Sequence, residues 1–181
     1  MQYKKKKRIF VALGISKGLI KKIQAWREAR HDFPVRWISD KDLHITIISP
    51  WYSGRVERVI EKVKYANIAL EPFSVQFKKI SFGPKPEHPR LIWAEGESSG
   101  TVVLENQLKR LFRKRKEKRD FLLHLTIARF APNDFPSFPV KKLNGNINWK
   151  ERINSFLIME SHLRRSGAAY EILSKIPFKR K

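Results

Sequence analysis

The sequence predicts an α+β protein of two similar lobes facing each other across a groove, and three observations predict it. Strand-like and helix-like segments alternate along the chain. A histidine-bearing strand recurs in each half. The pentapeptide Leu43-His44-Ile45-Thr46-Ile47 returns as Leu123-His124-Leu125-Thr126-Ile127. Repeats set architecture, and here the recurrence is two-fold rather than an array. At 181 residues the chain is long enough to bury a substantial core, and residues 1–181 are expected to form one bilobal domain.

Hydrophobic periodicity places the elements in order. Arg8 to Ile15 is predicted as the first strand, and Leu19, Ile20, Ile23 and Trp26 then fall on one helical face. Val35 to Ile38 and Leu43 to Ser49 are predicted strands, with Pro50 and Gly54 marking the exit. Val56, Val59, Ile60 and Val63 follow at helical spacing, in a helix that must end before Pro72. Phe73 to Phe82 and Arg90 to Glu95 form an expected antiparallel pair around the three-proline loop Gly83 to Pro89. Leu104, Leu108, Leu111 and Phe112 mark a third helix, running into the cationic stretch Lys109 to Arg119. Leu122 to Phe130 is a strand and Pro132 to Pro139 a loop. Asn154 to Glu160 and Tyr170 to Ile176 are the last two strands, joined through Gly167.

Composition narrows the function. Lys and Arg outnumber Asp and Glu by 39 to 17, a formal charge of +22 that attracts polyanions and makes nucleic acid the natural partner. Apolar residues at 41% and aromatic residues at 12% exclude wholesale disorder. Cysteine is absent, which excludes disulfides, thiolate nucleophiles and cysteine-built zinc sites. The basic start and the short apolar run Ile9 to Ile15 look superficially like a signal peptide. The run is too short, no small-residue cleavage site follows, and no stretch reaches the length of a membrane span. A soluble cytoplasmic protein without membrane association is expected.

The repeated pentapeptide carries the chemistry. Threonine occurs only as Thr46, Thr101 and Thr126, and two of the three stand two residues after a histidine. In an extended strand, side chains alternate faces. His44 and Thr46 therefore point one way and Leu43, Ile45 and Ile47 the other, and the second copy repeats this around His124 and Thr126. Two such strands, one from each lobe, would gather two imidazoles and two hydroxyls around one phosphate. Histidine exchanges protons near neutral pH, its unperturbed pKa being about 6.5, so the pair can act as acid and base at opposite ends of an in-line displacement. Zinc would require further ligands. The nearest acid, Asp42, is expected to point backward, and His31, His88 and His162 are expected to be exposed at helix ends or in loops. No metal and no cofactor is expected.

The two His-x-Thr motifs, about eighty residues apart in a chain of this size, resemble those of the 2H phosphoesterase superfamily, its RNA 2′,3′-cyclic phosphodiesterase (2′-5′ RNA ligase-like) branch above all. Arg8-Ile9-Phe10-Val11-Ala12-Leu13, Arg36-Trp37-Ile38 and Pro89-Arg90-Leu91-Ile92-Trp93 extend the resemblance. Met159-Glu160-Ser161, Gly167 and Tyr170-Glu171-Ile172-Leu173 are similar to the family's closing hairpin. The resemblance implies two pseudo-symmetric antiparallel sheets facing a basic central groove, with helices outside. It also implies that His44 and His124 are catalytic and that Thr46 and Thr126 bind phosphate. Arg129, five residues after the second histidine, matches a family arginine. Strict alternation puts Arg129 on the wrong face, so a strand end or bulge must turn it back. After the first motif, Ile48-Ser49-Pro50-Trp51 departs from the family's Phe-Leu-Gly turn, which leaves substrate choice open; Trp51 or Tyr52 is either packing or a stacking surface for a base.

The expected activity is metal-independent hydrolysis of an RNA terminal 2′,3′-cyclic phosphate to a 2′-phosphate. By analogy with the family, His124 is the base and His44 the acid. The expected partner is RNA with a cyclic phosphate end, tRNA fragments among the candidates, acted on by a monomer. Cleavage or joining of 2′-5′ linkages, non-catalytic RNA binding and action on a small cyclic nucleotide are the rival functions.

Overall fold

The computed structural model describes residues 5–66, 68, 70–114, 121–143, 145–164 and 167–178. Strand β1 (Lys7–Gly14) is apolar at both parities, and Ile9, Phe10, Val11, Ala12 and Leu13 are all buried, which demands a central place in a sheet covered on both faces. Ser16 then caps helix α1 (Lys17–Glu28), its hydroxyl accepting from the Leu19 N–H at 3.2 Å. Beyond β2 (Arg36–Trp37), only half as long as the stretch Val35 to Ile38 predicted, come β3 (His44–Ser53) and α2 (Val56–Tyr65). The hairpin β4 (Phe73–Gly83) and β5 (Leu91–Glu97) leads to α3 (Ser99–Leu111) and β6 (His124–Arg129). The chain closes with β7 (Gly145–Ile153), β8 (Ser155–Arg164) and β9 (Gly167–Pro177).

The described strands form an antiparallel array in the order β7-β4-β5-β6-β3-β1-β8-β9, with β2 beside the outer end of β6. Two four-stranded sheets, β3-β1-β8-β9 and β6-β5-β4-β7, repeat one another about a pseudo-two-fold axis. They meet at one residue pair, Ile45 opposite Leu125, the central residues of the two pentapeptides. The repeated unit is strand–helix–strand: β1-α1-β3 in one sheet and β5-α3-β6 in the other. The outer strands are drawn from elsewhere in the chain, so neither sheet is a contiguous half of the sequence.

Helices α1 and α3 cover one face and cross between sheets, α1 lying against β7 and α3 against β3 and β4. The main core fills this side with Leu13, Leu19, Ile23, Ile45, Leu104, Leu108, Leu125 and Ile127. Gly100 lets α3 settle on β4, since a β-carbon there would run into the Phe73 ring. The opposite face carries a smaller cluster of Phe10, Ala12, Leu157 and Met159 with Tyr170 packed on it. The expected arrangement of two antiparallel sheets, helices outside and an open face between them is what the chain adopts, an α+β fold.

Other segments differ from expectation as well. Strand β7 is missing from the sequence reading although Ile147, Trp149 and Ile153 alternate, because Glu151 breaks the apolar series. Glu151 is buried and accepts from both the Ser16 N–H (3.0 Å) and the Ser16 hydroxyl (2.8 Å), so its carboxylate secures the start of α1. Residues Pro132–Ser137 of the expected loop form a 3-10 helix. His162 lies within β8 rather than at a helix end or in a loop. Of the basic run from position 4 to Arg8 at the start of the chain, position 4 lies outside the described residues, and of Lys109 to Arg119, positions 115–119 do. Among the described residues, no helix is long and apolar enough to cross a membrane.

Candidate active site

Strands β3 and β6 run side by side at the pseudo-two-fold axis, and alternation does the rest. Ile45 and Leu125 are fully buried toward the helices, while His44, Thr46, His124 and Thr126 all line one cavity of about 210 Å³ on the other face. The four pentapeptide residues predicted to share a site are thus brought together.

Backbone carbonyls fix both imidazoles the same way. His44 Nδ1 lies 2.7 Å from the Asp42 carbonyl oxygen and His124 Nδ1 lies 2.9 Å from that of Leu122. A carbonyl only accepts, so in each ring Nδ1–H is the donor and Nε2 is left to exchange protons. The ring of His44 rests on Phe10 and Tyr170, with centroids 5.0 and 4.7 Å away. His124 rests on Trp93 at 4.7 Å. The indole N–H is in turn directed at Ser81 Oγ (2.8 Å) and Glu95 Oε1 (3.0 Å), and the Ser81 hydroxyl donates to Glu95. Gly83 leaves room for this indole, whose ring lies where a β-carbon would stand.

Both imidazoles are held below the ordinary histidine value. For His44, burial is the main cause; the bond to the Asp42 carbonyl and the Asp42 charge oppose it, and Arg129 and His124 add to it. Burial likewise lowers His124, against the Leu122 carbonyl bond and Glu95 and with the help of Arg129. Low dielectric disfavours the charged ring, and a nearby cation does the same.

Arg129 reaches the cavity by the bulge that its position required. Between two register pairs, β5 advances one residue, from Trp93 to Ile92, while β6 advances two, from Thr126 to Ala128. Ile127 is the extra residue. Ile127 and Ala128 are consequently both buried, and Arg129 returns to the face of His124 to line the cavity. The same bulge occurs at Ile47, where β1 advances from Ala12 to Val11 while β3 advances from Thr46 to Ile48. The residue equivalent to Arg129 is therefore Ser49.

Asp42 corrects one expectation. It lies in a 3-10 turn rather than in the strand, so alternation does not govern it. It lines the cavity, and its carboxylate accepts from the Tyr170 backbone N–H at 3.3 Å. Arg8, from the basic start of the chain, also lines the cavity, as do Phe10, Pro50 and Tyr170, which the motifs alone do not point to. Arg8 is in phase with Phe10 on β1, whereas Pro50 and Tyr170 come from β3 and β9 and reach the cavity only through strand pairing. Trp51 turns to the core, 5.1 Å from Phe112, and Tyr52 faces solvent. Among the described residues, the grouping with metal-ligand chemistry is Glu160, His162 and Glu171, whose ligand atoms lie within 4.8 Å of one another. None of the three lines the cavity, and Glu160 is paired with Lys7 at 2.7 Å.

The sequence profile of the 2′-5′ RNA ligase superfamily matches residues 16–165, a stretch containing both pentapeptides. The chain belongs to the 2′-5′ RNA ligase superfamily. Within this superfamily, a curated relative named RNA 2′,3′-cyclic phosphodiesterase, from Archaeoglobus fulgidus, is 24% identical over 172 residues, covering 92% of this chain and 97% of that protein. A second of the same name, from Aeropyrum pernix, is 26% identical over 155 residues, covering 79% and 86%. Among solved structures, a Thermus thermophilus protein superposes with a TM-score of 0.78 at 17% identity, covering 94% of this chain and 97% of that one. E. coli LigT complexed with 3′-AMP superposes with a TM-score of 0.76 at 20% identity, covering 97% and 100%. The two structural likenesses show that this chain shares the fold of those proteins.

Proposed function

We propose that this 2′-5′ RNA ligase superfamily enzyme hydrolyses the terminal 2′,3′-cyclic phosphate of RNA to a 2′-phosphate, with two histidines as acid and base and without a metal. The observation that carries the proposal is the pair of imidazoles, each with Nδ1 bound to a carbonyl and Nε2 available, facing one cavity with two threonines and an arginine. A phosphate between them is met by proton-transfer groups on two sides and by hydroxyl and guanidinium donors on its non-bridging oxygens.

Water attacks phosphorus as its proton passes to Nε2 of His124. The bond from phosphorus to the 3′-oxygen breaks, and Nε2–H of His44 protonates that oxygen. Thr46, Thr126 and Arg129 hold the phosphate. The names of the two curated relatives and the charge of +22 support RNA as the substrate class. The proposal extends to a monomeric, single-domain cytoplasmic enzyme with tRNA fragments among its substrates.

One assay tests it: incubation with cyclic-phosphate-ended RNA in chelator, followed by identification of the hydroxyl that keeps the phosphate. Turnover to a 2′-phosphate is expected. Activity lost in chelator and restored by zinc would overturn the metal-free mechanism, and a 3′-phosphate product would reverse the leaving group. Because the superfamily carries the 2′-5′ ligase name, a 2′-5′ linked oligonucleotide belongs in the same assay.

A further inference from the structure

Four side chains form a row across the cavity face, beyond the histidines. Tyr52 on β3 stands opposite Arg8 on β1, Arg8 Nη1 donates to Ser161 Oγ on β8 at 2.7 Å, and Ser161 stands opposite Tyr170 on β9. Directly opposed residues of antiparallel strands share a face. The row begins at Tyr170 against the His44 ring and ends at Tyr52, which is 63% exposed. Arg8 lines both the cavity of the histidines and a second, more open depression of about 430 Å³ that includes Lys5, Lys6 and Tyr52, so the two adjoin at this residue. Lys7 is occupied by Glu160, whereas Lys5 and Lys6 form no ion pair among the described residues.

We propose that this row is the path of the RNA strand on the 5′ side of the processed end, with a base stacked on Tyr52 and the flanking phosphates neutralised by Arg8, Lys5 and Lys6. The proposal rests on the cyclic-phosphate assignment, since a 2′,3′-cyclic phosphate closes the 3′ end and the strand leaves the site in the 5′ direction only. An exposed aromatic ring beside fixed cations is the arrangement that binds single strands without sequence preference. Glu160 also lines the depression that holds Lys5, Lys6 and Tyr52, where its carboxylate is paired with Lys7 at 2.7 Å. The other basic and aromatic depression, about 450 Å³ around Lys79, Trp93, Phe135 and Lys142, offers a poorer platform: Trp93 is 7% exposed, and the third cation there, Lys141, is tied to three backbone carbonyls.

The test compares a 2′,3′-cyclic mononucleotide with a cyclic-phosphate-ended oligonucleotide in Tyr52→Ala, in Lys5→Glu/Lys6→Glu and, as the rival path, in Lys79→Glu/Lys142→Glu. The first two variants are expected to lower kcat/KM on the oligonucleotide about tenfold and to change the mononucleotide less than about twofold. Neutralising two phosphate contacts should also flatten the salt dependence of oligonucleotide binding by about 0.7 per contact in log–log slope. Unchanged oligonucleotide turnover in both variants, or loss confined to the Lys79/Lys142 variant, overturns the path. Hydrolysis of neither substrate by the unaltered protein overturns the cyclic-phosphate assignment instead. In that case, anisotropy with a 2′-phosphate-ended oligonucleotide still decides the path: weaker binding in the two variants supports it, and equal binding refutes it.

Discussion

His44 and His124 occupy equivalent positions in the two strand–helix–strand units, and the backbone treats them alike. Each binds the carbonyl two residues before it, each precedes a threonine by two residues, and each strand bulges at the residue after that threonine. The surroundings differ. His44 is walled by Phe10 and Tyr170, whereas His124 lies on a single indole wired to Ser81 and Glu95. The residue returned by the bulge is a cation beside His124 and a serine beside His44. The two copies therefore share what sets the tautomer and the facing direction, and they differ in charge and in the rings behind. Two equivalent imidazoles have no reason to take different roles; two differently surrounded ones do.

The strongest way to break the comparison is to remove either ring. Alanine at His44 or at His124 should each lower turnover of a cyclic-phosphate-ended RNA by about 10² to 10⁴-fold, the range of general acid or base catalysis. Full activity in either variant would reduce the pair to a single working histidine. Next in size is Arg129→Ala, which removes a charged hydrogen-bond donor worth about 1.5–3 kcal/mol and should lower kcat/KM by roughly ten- to a hundredfold. Ser49→Ala is the matched control across the pseudo-axis, and its kcat/KM should stay within about twofold. Equal losses would mean that the cation has no special place. Thr46→Val and Thr126→Val, each deleting a neutral hydroxyl donor worth about 1 kcal/mol, should each cost about fivefold in kcat/KM, with Ser restoring most of it.

The parts of this site that were legible in the sequence are those ruled by local period. Alternation put His44 with Thr46 and His124 with Thr126 on the open faces, and the repeat implied that the faces meet. Arg129 was legible only as a condition, because a bulge is a property of pairing with β5 and leaves no mark in β6 itself. The rings behind the histidines were not legible for a related reason. Phe10 and Tyr170 meet at 5.2 Å only because β8 stands between β1 and β9. Strand β7 was hidden by Glu151, a buried carboxylate in an apolar phase whose partner is the start of a helix far away in sequence. Local chemistry reads forward from residues, whereas bulges, walls and buried carboxylate contacts are decided by neighbours that the sequence does not place.

The smallest expected effects are shifts of pH dependence, and they separate the two histidines most finely. With both imidazoles lowered by burial, the one-proton state that the mechanism needs is most populated on the acid side of the ordinary value of about 6.5. The bell of kcat/KM, which reports the protein before substrate binds, should therefore peak below that value and fall as pH rises through neutrality. The bell of kcat should lie at higher pH, because a bound phosphate anion favours the charged ring. Glu95 raises His124 and is absent from the surroundings that shift His44. Glu95→Gln should thus lower the His124 pKa, followed by NMR titration of its ring protons, and move one limb of the kcat/KM profile with it to lower pH, with a smaller change at His44, which feels Glu95 only through the charge of His124. Both histidines shifting equally would mean that they titrate as one coupled pair, and the difference in their surroundings would then have no bearing on which of them carries the proton.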